Sequence, residues 1–392
     1  MPWKRTCALD ERREFVSAVM REEAGIAELC RRYEISRKTG YKWLDRFEAE
    51  GRAGLGDRSH VPHGCPHRLD EETVEQVLAV RRKYPSWGPK KIRGWLIDRK
   101  PAGSWPATST IGELLHARGL TVARKRRLRM ALSAPFGSCT QPNDVWTVDF
   151  KGWFRTANAE RCDPLTLQDA HSRYLLRCQA VERTNTECVW PIFDAALREY
   201  GLPLKLRSDN GPPFASLGAG GLSPLSVRLI KAGVIPERIV PGKPQQNGRH
   251  ERFHLTLKKE TANPPAANLR AQQRCFDAFR KLYNEERPHE ALQQTPPARH
   301  YAASDRHYRG RLCEPEYDEG LQVRRVRSNG EIKWRGGFVY VSQTLAGEPV
   351  ACQESDDGVW SLRYGPIELG SIDHRGRLHV ARRRGIHSRP AS

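Results

Sequence analysis

Three acidic side chains in the middle of the chain stand where folding alone does not call for a charge. Asp149 interrupts the β-rich run Val145-Trp146-Thr147-Val148-Asp149-Phe150, and a carboxylate inside an apolar strand needs a partner or a metal ion to offset its desolvation. Asp209 follows the short strand pattern Leu204–Arg207 and precedes Asn210-Gly211-Pro212, which turns the chain. A carboxylate at such a strand end faces the crevice where ligands collect. Glu251 falls in the first turns of a helical pattern that follows Pro241-Gly242-Lys243-Pro244-Gln245-Gln246-Asn247-Gly248. Its helical neighbours are His254, Leu255 and Lys258, a spacing that sets Lys258 beside it to hold a phosphate. Hard Mg²⁺ or Mn²⁺ takes oxygen ligands and keeps several waters, so a few carboxylates suffice once a substrate phosphate joins the shell. Two such ions about 4 Å apart serve an in-line displacement at phosphorus. Taken singly, each acid has a plainer account: Asp149 as a buried hydrogen-bonding residue, Asp209 as a turn former, Glu251 as a favourable charge in a helix's first turns. Only the set points to chemistry.

The contexts WTVDFKG, LRSDNGPPF and PGKPQQNGRHERFHLTLK resemble the three acidic motifs of the integrase-type DDE transposases of bacterial insertion sequences, relatives of retroviral integrases. YNEERPHEALQQTPPARHY resembles the stretch after their catalytic core, and the likeness runs from about Glu11 to Tyr301. The resemblance implies an RNase H-like core with Asp149, Asp209 and Glu251 as metal ligands, Asp149 touching both of two Mg²⁺ (or Mn²⁺) ions and the others one each. It also implies cleavage at an element's ends followed by attack of a 3′-hydroxyl on target DNA. A non-catalytic helix-turn-helix regulator and a nuclease of the same fold without joining activity are the alternatives. Forty-one residues separate Asp209 from Glu251, more than in the retroviral relatives. The surplus lies in Ser216-Leu217-Gly218-Ala219-Gly220-Gly221, whose glycines predict a flexible surface loop. The zinc-binding N-terminal domain of the retroviral proteins is replaced by helix-turn-helix patterns.

Around these residues the chain reads as a multidomain protein. Residues 1–55 form all-α structure with a helix-turn-helix pattern: helix Ile26–Tyr33, turn Glu34-Ile35-Ser36, and Ser36 placed to cap a helix running from Arg37 towards Glu48. Arg37, Lys38, Thr39 and Lys42 lie near its start, where a recognition helix meets DNA; a plain helical hairpin with a basic face has the same pattern. After a linker over 56–69, a second helix-turn-helix-like unit spans 70–128, with helices at Glu71–Tyr84, Lys90–Ile97 and Ser109–His116. Lys90 and Lys91 are its candidate DNA contacts, joined by the run Arg124-Lys125-Arg126-Arg127-Leu128-Arg129. A linker over 129–143 leads to the α/β core at 144–305, a mixed sheet covered by helices. Residues 315–378 alternate short strands with turns and predict a small β-barrel. The Arg-rich tail 379–392 lacks periodicity and reads as disordered.

Composition agrees with a nucleic-acid partner. The formal charge is +20 over 392 residues, and residues 1–143 carry 28 Lys+Arg against 17 Asp+Glu, 28 − 17 = +11. Such an excess binds double-stranded DNA through its phosphates, here element ends and target DNA. Pairing two DNA ends calls for a homo-oligomer, at least a dimer on DNA. No stretch approaches the ~20 apolar residues of a membrane span, and the N-terminus lacks a signal peptide's apolar core. Ten cysteines without a CxxC pair read as reduced thiols, so the expectation is a soluble, cytoplasmic, nucleoid-associated protein. His60, His63, Cys65 and His67 offer zinc donors in a short Gly/Pro-rich stretch, which reads better as a polar linker. Trp146, Trp153 and Trp190 read as core, and Asp169 and His171 as structural.

Overall fold

The computed structural model describes residues 7–58, 69–121, 139–239, 248–355 and 358–380. The basic run Arg124, Lys125, Arg126 and Arg127, the His60/His63/Cys65/His67 group, Asn247 and the tail from Arg382 onwards lie outside the described residues. The chain divides into two units, Met1–Arg68 and Leu69–Ser392.

The first unit holds α1 (Ala8–Met20), α2 (Ile26–Arg32) and α3 (Arg37–Glu50). Ser36 caps α3 by accepting the Thr39 N–H at 3.1 Å, which satisfies one of the helix's orphan donors. Phe15, Leu29, Cys30, Trp43 and Leu55 form the core. Gly40 lets α3 approach its neighbours, because a Cβ there would stand 2.5 Å from the Cys30 sulfur.

In the second unit, α4 (Glu71–Lys83), α5 (Pro89–Arg99) and α6 (Thr108–Ala117) pack around Trp87, Ile92, Leu96, Ile111 and Leu115. Strands β1 (Val145–Phe150), β2 (Phe154–Arg155), β3 (Arg161–Asp169), β4 (Leu175–Val181), β5 (Lys205–Ser208) and β6 (Ile235–Arg238) form one mixed sheet. Its path runs β4-β3-β1-β5-β6, with β2 on the start of β3. Strands β4, β3 and β1 are antiparallel neighbours, while β1, β5 and β6 run parallel. That is the RNase H-like arrangement anticipated above. Helices α7 (Thr186–Tyr200) and α8 (Pro224–Lys231) share a core with Trp146, Val148, Leu165 and Leu176 of the sheet. Helices α9 (Gly248–Thr261) and α10 (Leu269–Glu285) share a second core with Cys162, Leu175 and Cys178. Cover on both faces explains why β3 is buried along almost its whole length.

The helical α4–α6 layer is fastened to this core. Leu282 of α10 packs against it, Tyr84 and Lys83 bond Glu286, and Ser86 Oγ donates to Glu260 Oε1 at 2.5 Å. The same Glu260 oxygen accepts from Arg287 at 2.5 Å.

The C-terminal region departs from expectation. Strands β7 (Gln322–Arg325), β10 (Pro349–Glu354), β11 (Trp360–Tyr364), β12 (Ile367–Ile372) and β13 (Leu378–Val380) form an open sheet in the order β13-β12-β11-β10-β7, and β8 (Glu331–Trp334) and β9 (Gly337–Tyr340) a separate hairpin. Among the described residues no pairing joins β7 to β13, so the expected closed barrel is not formed. Both edge strands are short, and β7 carries Arg324 and Arg325, features that blunt an edge rather than close it. The glycine-rich insertion is corrected too. Ala219 and Leu222 are buried in the same core as Val350, Leu362 and Leu369 of this sheet. Gly220, at φ 60°, lies against Leu369 and Ile367 where a side chain has no room. Leu217 alone reaches fully into solvent. The segment is a docking piece, read as a free loop because glycines that permit close packing look like glycines that permit motion.

Arg287 is 8 % exposed and Glu260 18 % exposed on the side chain, so Glu260→Gln leaves a nearly buried guanidinium unmatched, at a cost of about 3 kcal/mol. The expected outcome is a clearly lower thermal midpoint for the whole chain, with Ser86→Ala losing less. Equal melting of Glu260→Gln and the unaltered protein would remove this pair from the fold's supports.

Candidate metal and nucleic-acid site

Parallel pairing sets Val145, Trp146 and Thr147 against Lys205, Leu206 and Arg207. Carried two residues further, that register sets Asp149 opposite Asp209, on the same face at adjoining strand ends. Asp149 lies in β1 opposite Thr166 of β3, with its side chain 15 % exposed. Asp209 follows β5 and is half-buried; its Oδ1 accepts the Gly211 N–H at 3.2 Å. Burial pushes its carboxyl pKa upward against that bond. A desolvated carboxylate beside another is a strong attractor for a cation. Glu251 is exposed in the first turn of α9. Among the described residues no three His, Cys, Asp or Glu side chains converge as a metal-holding group, so the three acids are not gathered into one ligand set. The donors nonetheless suit Mg²⁺, which takes one or two carboxylates and fills its shell with waters and substrate phosphate.

Two further residues belong to this site and were not singled out from the sequence. His254, one turn after Glu251, is buried, with Nδ1 4.0 Å from Asp149 Oδ2 and Nε2 2.9 Å from Thr166 Oγ1. The Thr166 hydroxyl donates to the Asp149 main-chain oxygen at 3.1 Å. Having spent its one proton there, it accepts from His254 Nε2, which fixes the tautomer. Burial, His250 and Lys151 hold the His254 pKa down to about 3, so the ring is neutral. Lys151 follows Asp149 by two residues on the same strand face, and burial together with the Lys258 charge lowers its pKa. Lys151 and Lys258 are therefore neighbours at the carboxylates. The i, i+2 strand spacing and the i, i+3 helix spacing were the available signals.

Of the candidate DNA contacts, Arg37, Lys38 and Lys42 are exposed on α3, as is Lys258 on α9. The Thr39 hydroxyl is engaged with Ser36 Oγ at 2.8 Å. Lys90 pairs with Glu290 at 2.6 Å, and Lys91 bonds the Pro288 carbonyl. Burial lowers the Lys91 pKa to about 8, so it reads as a fastener of α5 to the core. Trp146 is fully buried, its Nε1 donating to Asn143 at 2.9 Å, and Trp190 is half-buried. Trp153 is exposed, against the core assignment. Asp169 closes the β3–β4 turn by accepting from Ser172 and the Asn143 N–H.

Fold and site together define an integrase core preceded by helix-turn-helix units. Family models described as Integrase core domain match residues 139–244 and 232–297, and others described as Helix-turn-helix domain and Homeodomain-like domain match 11–63 and 39–115. An uncharacterized 39.2 kDa protein of insertion element IS476 from Xanthomonas euvesicatoria is 30% identical over 264 residues, 67% of this chain and 72% of that protein. An uncharacterized 31.7 kDa protein of insertion element IS407 from Burkholderia multivorans is 28% identical over 251 residues, 61% of this chain and 86% of that protein. The chain belongs to this integrase-type transposase family of bacterial insertion elements. A simian T-cell lymphotropic virus intasome structure overlaps with a TM-score of 0.37 at 13% identity, over 76% of this chain and 100% of that one. Among the described residues no helix is long and apolar enough to cross a membrane.

If Lys91 serves packing and not phosphate binding, Lys91→Met leaves the slope of log affinity against log salt unchanged on DNA. A phosphate-contacting cation would lower that slope by about 1, and such a drop would return Lys91 to the DNA surface.

Proposed function

We propose that the protein is a DNA transposase that binds the terminal repeats of an insertion element and catalyses metal-dependent 3′-end cleavage and strand transfer into target DNA. The observation that carries this reading is the parallel pairing of β1 with β5, a register whose continuation by two residues aligns Asp149 with Asp209. In this reading Asp149, Asp209 and Glu251 hold Mg²⁺ or Mn²⁺, Glu251 closing the set from the start of α9 when DNA is bound. The metal supplies Lewis-acid stabilisation of charge at the scissile phosphate and a lowered pKa for the attacking hydroxyl or water. The chain's own residues do the positioning. Thr166 steadies the Asp149 backbone and His254 holds Thr166 in turn, and Lys151 and Lys258 hold the DNA phosphate against the carboxylates. Because burial keeps His254 neutral, it adds no competing positive charge there. Arg37, Lys38 and Lys42 of α3 read one part of the terminal repeat and α4–α6 grip another, so end binding falls steeply with salt. Two ends must be paired, so the active form on DNA is at least a dimer.

Incubating the protein with Mg²⁺, DNA bearing the element's own ends and a target plasmid should give joined products. Asp149→Asn, Asp209→Asn and Glu251→Gln should each abolish joining while leaving end binding within about twofold of the unaltered protein. Cutting without joining would make the protein a nuclease of this fold, and loss of end binding in all three variants would make the acids structural.

Deleting residues 1–68 removes one compact unit and leaves the α4–α6 layer fastened to the core. Sequence-specific footprints on the ends should then disappear while salt-sensitive non-specific binding remains. A preserved footprint would transfer end recognition to the second unit.

A further inference from the structure

We infer that Trp153, Arg155 and Arg161 form a binding site for an unpaired nucleotide on the outer face of the β2–β3 ladder, the indole stacking its base and the guanidiniums holding its phosphate. Strand β2 pairs Phe154 with Cys162 and Arg155 with Arg161. Phe154 and Cys162 face inward, packed with Phe276 and Leu269. Alternation then sends Trp153, Arg155 and Arg161 to the outer face, and Trp153 is 56 % exposed. The guanidinium carbons of Arg155 and Arg161 lie 5.8 and 5.3 Å from its ring centroid.

Folding gains little from this arrangement. An exposed indole buries no area worth its size, and two cations directly opposite across a strand pair repel. Asp163 balances Arg161 at 2.7 Å, and Arg155 donates to the Ala159 carbonyl at 2.7 Å, so the pair is held in place with positive charge to spare. A ligand with a flat ring and an attached anion offsets both costs, and a nucleotide has both parts. A duplex covers each base face with its neighbours, so the ring must come from an unpaired position.

The site and Asp149 lie on opposite faces of β3: Arg161 alternates with Leu165 and Leu167, whereas Thr166, opposite Asp149, shares the face of Cys162. The Lys151 N–H bonds the Pro164 carbonyl at 3.0 Å, which continues the β1–β3 ladder past Asp149, and Gly152 bends the chain at φ 86°. The inference rests on the transposase reading for the identity of the DNA, and not for the stacking itself.

Fluorescence anisotropy without divalent metal would compare a blunt duplex with the same duplex carrying a short oligo-dT overhang. Trp153→Ala is expected to lose about tenfold in affinity for the overhang probe, with the blunt probe unchanged and the thermal midpoint preserved. Trp153→Phe, which keeps a ring face, should retain most of the preference. Equal affinities of Trp153→Ala and the unaltered protein for the overhang probe, or equal losses on both probes, would overturn the inference. The preference of the unaltered protein is read independently of joining. Absence of joining with the preference intact would sink the transposase reading alone, and joining with no Trp153 effect on the overhang would sink this one alone.

Discussion

Everything at the candidate site hangs on the register between β1 and β5. A shift of one residue would turn Asp149 to the opposite face of the sheet from Asp209, and the two carboxylates would no longer share a face. The register is locked from several sides. Trp146, one residue along from the first pair, is fully buried and tied to Asn143, and β3 grips the other edge of β1 over five residue pairs. The helices on both faces close off the alternatives. Two acids that are costly apart are held at one level by a sheet whose apolar pattern leaves no second choice.

The third acid is held differently. Helix α9 is pinned along its length by Phe253 and Leu257 in the core and at its end by Glu260, which receives both Ser86 and Arg287. Its first turn, with Glu251, projects from that anchorage. The anchor is shared with the α4–α6 layer, so that layer and the helix bearing Glu251 are held by the same carboxylate. Lys90 and Lys91 strengthen the same joint, Lys90 through an exposed pair with Glu290 and Lys91 through the Pro288 carbonyl.

Much of this was legible in the sequence. Ser36 before an amphipathic run, the alternation around Asp149, and the turn residues after Asp209 each reflect local physics, and local physics is what a sequence displays. The mixed sheet of an RNase H-like core followed from the family likeness and was then found in the pairing. Long-range relations were hidden. Nothing near Lys91 announces that Pro288 lies opposite, and nothing near Trp153 announces that Phe154, not the tryptophan, takes the inward position on β2. The short β2 strand itself was missed, because two residues carry no periodicity. A glycine run was read as loose because its packing partners come more than a hundred positions later in the chain.

That last separation bears on synthesis. The apolar segment Ala219–Ile230 has its partners on strands that run from Ile332 to Ile372, so as the chain leaves the ribosome this flank of the integrase core stays uncovered until those strands have emerged. Loop closure over that distance is slow, and the exposed surface is sticky in the interval. Cover for this flank therefore arrives more than a hundred residues after the segment itself is made.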